Sequence, residues 1–184
     1  MRRGLIIVLL LVSLAACSPG APREGEPLPL TRTFDKSPSG FEFKYPTDWD
    51  YTIPMQGVLF AGPVDVLTGS PGPLFAVRRS LPVSIPGSLS AALNSYLETG
   101  PLSKPDNWRI TVEERDITLD GRPGRIVDLE GAEGPDDTRI HSQVIATTSD
   151  NTFVYMFILT VPVSQRDRFE PTLLAMLESV RILE

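Results

Sequence analysis

From Phe41 to Tyr45 large aromatic residues alternate with Glu42 and Lys44, and Pro46 then removes a ladder donor, so the two-residue period predicts a half-buried strand. Trp49 and Tyr51 follow closely. Two further apolar segments, 57–61 and 73–79, are separated by a Gly/Pro-rich crossing at 62–73 and predict two more strands. At 88 the period changes: Ser88 offers an N-cap, Leu89, Ala92, Leu93, Tyr96 and Leu97 recur at helical spacing, and Gly100-Pro101 closes the run. In the second half, Trp108, Ile110 and Val112 alternate with Arg109, Thr111 and Glu113, and the strand continues through Ile117 and Leu119 to an Asp120-Gly121 hairpin signal. The returning strand is expected over 124–129, with an acidic loop at 130–137.

A second strand pair is expected across Ser149-Asp150-Asn151, with Ile140, Val144 and Ile145 before it and residues 152–161 after it. In its second strand Phe153, Tyr155, Phe157 and Leu159 point one way while Val154, Met156 and Ile158 point the other. Both faces are apolar, so both need cover. Phe169, Leu173, Leu177 and Val180 form a helical stripe that supplies some of it. Ser164 and Asp167 have capping-box spacing, but Pro171 suits a first turn, so a short turn followed by a helix from about Glu170 is expected. The pattern as a whole predicts an α+β fold, a mainly antiparallel sheet sandwiched by helices.

The first residues follow another logic. Arg2 and Arg3 precede an apolar run from Leu5 to Val12, and Leu14-Ala15-Ala16 leads directly into Cys17, the only cysteine. Basic start, apolar stretch and small residues are the three parts of a secretory signal, and the run is short for a membrane span of about 20 residues. Leu14-Ala15-Ala16-Cys17 resembles the bacterial lipobox, which implies cleavage before Cys17 and a diacylglycerol and palmitate-type acylation on its thiol. Residues 1–16 are then signal peptide, and Cys17 holds membrane lipid. One acyl chain anchors marginally and two hold stably, each buried methylene contributing about 0.8 kcal/mol. Ser18 in place of aspartate implies outer-membrane sorting in a cell with two membranes. Residues 17–38, with Pro19, Pro22, Pro27, Pro29 and Pro38, read as a tether, and the folded body is expected over 39–184 as one domain.

Composition narrows the partners. The chain has 184 residues with formal charge −6, and losing residues 1–16 removes Arg2 and Arg3 and takes the balance to −8. An acidic surface without Lys/Arg clusters disfavours nucleic acid and electrostatic attachment to anionic headgroups. With Cys17 acylated, the body has no thiol for a disulfide, a nucleophile or a metal.

The ordered set Gly40-Phe41-Glu42-Phe43-Lys44-Tyr45-Pro46 with Trp49, the hairpin around Gly121-Arg122-Pro123-Gly124, and the closing Leu177-Glu178-Ser179-Val180 resembles the PsbP-like fold over residues 39–184. That fold is shared by PsbP, the Mog-type Ran-binding proteins, and bacterial lipoproteins such as DcrB and LpqN. The resemblance implies an antiparallel sheet between helical layers and a role in binding or assisting other macromolecules, without transferable catalytic residues.

Chemistry is sparse. His141, the only histidine, shares a strand face with Gln143 and reads as a solvated residue without partners for a triad or zinc site. There is no Gly-x-Ser-x-Gly elbow, phosphate-binding glycine loop or His-Glu-x-x-His. Glu130, Glu133, Asp136 and Asp137 are oxygen-rich enough to raise calcium, yet lack the EF-hand order; Asp48 and Asp50 read as turn residues after Pro46. The crossings at 62–73 and 81–87 could frame a groove, or pack on the sheet edge. No catalytic, metal or cofactor-binding residue is assigned. The expected function is a lipid-anchored, non-enzymatic binding or accessory module outside the cytoplasm, with a protein partner in the envelope. A carrier or sensor of a small apolar ligand is the alternative, and an enzyme of unrecognised type stands third.

Overall fold

The computed structural model describes residues 25–35, 39–54, 57–64, 72–79, 89–100, 104–133, 137–149 and 153–183. In chain order the elements are β1 (Leu30–Phe34), β2 (Phe41–Pro46), β3 (Asp50–Thr52), β4 (Val58–Ala61), β5 (Leu74–Arg79) and α1 (Leu89–Thr99). There follow β6 (Asp106–Leu119), β7 (Arg122–Glu133), β8 (Thr138–Ser149), β9 (Phe153–Pro162), α2 (Arg166–Glu178) and β10 (Arg181–Ile182). Seven strands form one antiparallel sheet in the order β3-β4-β5-β9-β8-β7-β6, and a small sheet has the order β1-β2-β10.

The doubly apolar strand sits where its sequence requires. β9 is central, with β5 on one side and β8 on the other, and its two sets of side chains enter two separate cores. Tyr155, Phe157 and Leu159 join Phe34, Phe41, Phe43, Trp49 and Phe60 under the small sheet and α2. Met156 and Ile158 join Val127, Leu129 and Val144 under Ala92, Leu93, Tyr96 and Leu97 of α1. The large sheet is thus covered on both faces, as its pattern predicted. One cover differs from a plain helical layer, because β2 leaves the large sheet and packs across it with β1 and β10.

β1 also moves the start of the folded body. Leu30–Phe34 pairs with β2, Phe34 ↔ Phe43, and the Phe34 ring is buried, so the fold includes residues ahead of the boundary expected near Ser39. Thr31, Arg32 and Thr33 are exposed, leaving Phe34 as the only large buried anchor of this edge strand. A lone Phe after a proline-rich stretch has no period to announce it.

The turn chemistry follows the sequence at Asp120-Gly121, where φ angles of 50° and 73° make a two-residue left-handed turn between Leu119 and Arg122. β7 runs longer than the expected 124–129, continuing to Glu133 opposite Thr138, so the first half of the expected acidic loop is strand. α2 starts at Arg166, earlier than Glu170, after a 3-10 turn over Val163–Gln165. Pro171 therefore lies inside it. The Arg166 guanidinium donates to both Glu170 carboxylate oxygens at 2.8 and 2.9 Å, clasping the first turn and offsetting the hydrogen bond that Pro171 cannot make. The expected stripe Phe169, Leu173, Leu177 and Val180 is fully inward. No helix among the described residues is long and apolar enough to cross a membrane.

Candidate binding groove beside α2

The face of the large sheet that holds the aromatic core changes character towards β6. On β7 the alternation Ile126, Asp128, Glu130 points to this face, and the register sets Asp128 opposite Gln143 and Glu130 opposite His141. Four polar side chains on two strands thus form one patch under α2. Asp128, His141 and Gln143 are each at least nine-tenths buried. The charges pair as they enter: Arg115 meets Asp128 Oδ2 at 3.3 Å, Arg139 meets Glu130 at 2.7 Å, and Glu170 lies 3.7 Å from His141 Nε2 while held by Arg166.

His141 is therefore buried, not the solvated strand residue its alternation suggested, because α2 comes down over it with Glu170. Burial foremost, then the neighbouring Arg166 charge, holds its pKa below the ordinary histidine value. Neither ring nitrogen has a hydrogen-bond partner among the described residues, and the same holds for Asp128 Oδ1 and Gln143 Oε1. Buried polar atoms normally find partners, and one left alone costs about 1–3 kcal/mol. Four such atoms gather in this single patch.

The patch adjoins a groove of about 520 Å³ between the β6–β8 end of the sheet and the C-terminal half of α2. Gln143 belongs to its wall, with aliphatic Ile117, Leu119, Ile126, Leu174 and Leu177 around it and Arg115, Asp120 and Glu178 also lining it. Asp120 additionally accepts the Ile182 N–H at 2.9 Å, tying the hairpin beside the groove to β10. A smaller cavity of about 110 Å³ lies on the opposite face between α1 and the sheet, lined by Arg78, Tyr96 and Met156 among others.

The remaining sequence candidates separate. Cys17 and its lipobox lie outside the described residues, as do 81–88 and most of the crossing at 62–73. Asp48 and Asp50 are both exposed, in and just after a turn closed by Trp49 N–H to the Pro46 carbonyl at 3.3 Å, while Trp49 between them is wholly buried. Glu130 is shared by Arg139 and, at 3.7 Å, Arg109, which commits it to ion pairs; Asp137 is an exposed turn residue, and Asp136 lies outside the described residues. Among the described residues no group of three or more His, Cys, Asp or Glu side chains is placed to hold a metal. Reading the sequence missed Asp128, Arg166 and Glu170; the available signal was Asp128 and Glu130 on the core-facing phase of an otherwise apolar strand.

This combination of a covered antiparallel sheet, a crossing small sheet and two helices defines an α+β fold of the PsbP and Mog type. No protein-family model matches the sequence, and no curated protein matches it. Solved structures do. Cyanobacterial PsbP (CyanoP) from Synechocystis sp. PCC 6803 aligns with a TM-score of 0.58 at 14% identity over 82% of this chain and 91% of its own. The Ran-binding protein Mog1p of Saccharomyces cerevisiae aligns at 0.55 and 9% identity over 83% and 95%. LpqN, involved in cell envelope biogenesis of Mycobacterium tuberculosis, aligns at 0.53 and 14% over 78% and 83%. At such identities the likeness is one of fold.

Proposed function

We propose that this chain is a non-enzymatic binding or accessory module of the cell envelope, held to its membrane by acylated Cys17 and acting on a protein partner. The observation that carries the binding role is the groove beside α2, whose polar patch keeps four buried hydrogen-bonding atoms without partners. Unmet hydrogen-bonding capacity beside an open groove suits recognition. Support for the address comes from Leu14-Ala15-Ala16-Cys17 and the basic-apolar order before it. Two fold neighbours, a Ran-binding protein and a protein involved in cell envelope biogenesis, are consistent with a scaffold used for binding and for envelope work.

A carrier of small apolar ligands has less behind it. The space under the small sheet is filled by aromatic rings at centroid separations of 4.8–4.9 Å around Phe43 and Phe60, and the larger groove has Arg115, Asp120, Gln143 and Glu178 in its walls. The anchor is tested by feeding radiolabelled palmitate to expressing bacteria. Label is expected in the full-length protein and absent from Cys17→Ala; equal labelling of both, or none in either, ends the lipoprotein reading.

A further inference from the structure

The groove and the polar patch meet at Gln143, and two of the patch's four unpartnered atoms are oxygens. Asp128 Oδ1 and Gln143 Oε1 are acceptors, sit opposite one another across the β7–β8 pair, and have no donor among the described residues. Arg115 donates from Nη1 to Asp128 Oδ2 at 3.3 Å, which leaves Oδ1 unmet. What fits is a group with several donors and a positive charge.

We propose that the groove seats a lysine-bearing segment of a partner protein, with the ammonium received by Gln143 Oε1 and drawn in by the Asp120 and Glu178 carboxylates. This rests on the binding-module reading and gives the partner its chemistry. A lysine ammonium has three donors on a compact head and no acceptor, so it meets an unpartnered oxygen without adding a new one. Its four-carbon stem lies against Ile126 and Leu177, while Ile117, Leu119 and Leu174 accept apolar residues on either side. Leu174, 37% exposed, is the most open apolar side chain of α2 and stands at the lip. Asp120 and Glu178 line the same groove, and the chain carries a formal −6, so a cation is drawn in. The broad terminal torsion of the glutamine amide lets Gln143 turn its oxygen into the groove. A volume of about 520 Å³ exceeds one side chain, which favours a segment over a free amine.

The test uses the full-length, unacylated protein and a fluorescein-labelled peptide, Ala-Leu-Lys-Leu-Ala with blocked ends, read by fluorescence anisotropy. Saturable binding is expected, at least tenfold weaker when the peptide lysine becomes norleucine and lost when it becomes glutamate. Gln143→Leu, and separately Asp120→Asn with Glu178→Gln, should each weaken binding of the lysine peptide several-fold while circular dichroism stays unchanged. Equal affinity for the norleucine or glutamate peptide overturns the proposal, as does no binding by any peptide. Binding of spermidine by a protein that ignores the lysine peptide overturns the protein source. Palmitate incorporation reads Cys17 alone, so failure of the groove and failure of the anchor are separate results.

Discussion

One face of one sheet carries two contrasting regions. Under the small sheet, β4, β5 and β9 meet Phe34, Phe41, Phe43 and Tyr45 in a continuous set of edge-on, tilted and stacked rings. Beside α2, β7 and β8 carry Asp128, Glu130, His141 and Gln143 in one patch, and Gln143 reaches the wall of a partly open groove. The two regions lie on neighbouring strands of one hydrogen-bonded sheet, joined where β9 pairs with β8. What separates them is the chemistry of the core-facing phase: rings fill volume and stiffen, whereas the polar row leaves hydrogen-bonding capacity over. The first region holds the fold and the second is available for work.

The contrast is broken most severely by Phe43→Ala, because Phe43 touches Phe34, Phe60 and Phe75 at once and is fully buried. A loss of about 3–5 kcal/mol is expected in urea unfolding. A loss below 1 kcal/mol would show that the aromatic region is not the stabilising one. Next comes Gly121→Val in the hairpin beside the groove, where a β-branched residue must hold φ near 73°; a loss of about 1–2 kcal/mol is expected from urea midpoints at constant slope.

A smaller effect follows from His141. Its folded pKa is depressed, so between that value and the ordinary pKa of about 6.5 the unfolded chain binds more protons. The stability contribution is full above about pH 6.5 and is lost as pH falls through that window. His141→Gln should flatten the fall in melting temperature between pH 7 and pH 5; an unchanged slope assigns the acid sensitivity elsewhere. The smallest effect is expected at Gln143→Leu, within about 1 kcal/mol and towards greater stability, since it removes an unpartnered buried oxygen. A marked loss there would place the polar row among the groups that hold the fold.

Elements with a strong period were legible in the sequence. β9 declares two buried faces, α1 shows its stripe of Ala92, Leu93, Tyr96 and Leu97, and Asp120-Gly121 names its own turn. β1 was hidden because Phe34 is its one fully buried side chain, Leu30 being partly buried and the three residues between them exposed. β6 misled differently: Ile110 and Val112 alternate well, yet register shifts on this edge strand leave them 40% and 45% exposed. Period reports which residues share a face in a regular strand, and a bulge resets that count. The candidate site was the least visible part. Asp128, Gln143 and His141 become one patch only through cross-strand register, and Glu170 reaches His141 only because α2 folds back over β8, neither of which is local in sequence.

The pairing of β10 with β2 sets Glu42 against Arg181 and Phe41 against Ile182, and Ile182 reaches back to Asp120 as well. β10, far along the chain from β2, therefore completes the sheet that covers the aromatic core. Closing so long a stretch of chain incurs its entropic cost before the contacts repay it, and folds dominated by such pairings form in about milliseconds to seconds. A polypeptide still emerging from the ribosome has no β10 to lay across β2, and its aromatic face lacks that cover until β10 has been made. Timing is thus written into the topology: the fold stays unfinished, and open to whatever handles unfolded chains, until Arg181 and Ile182 arrive.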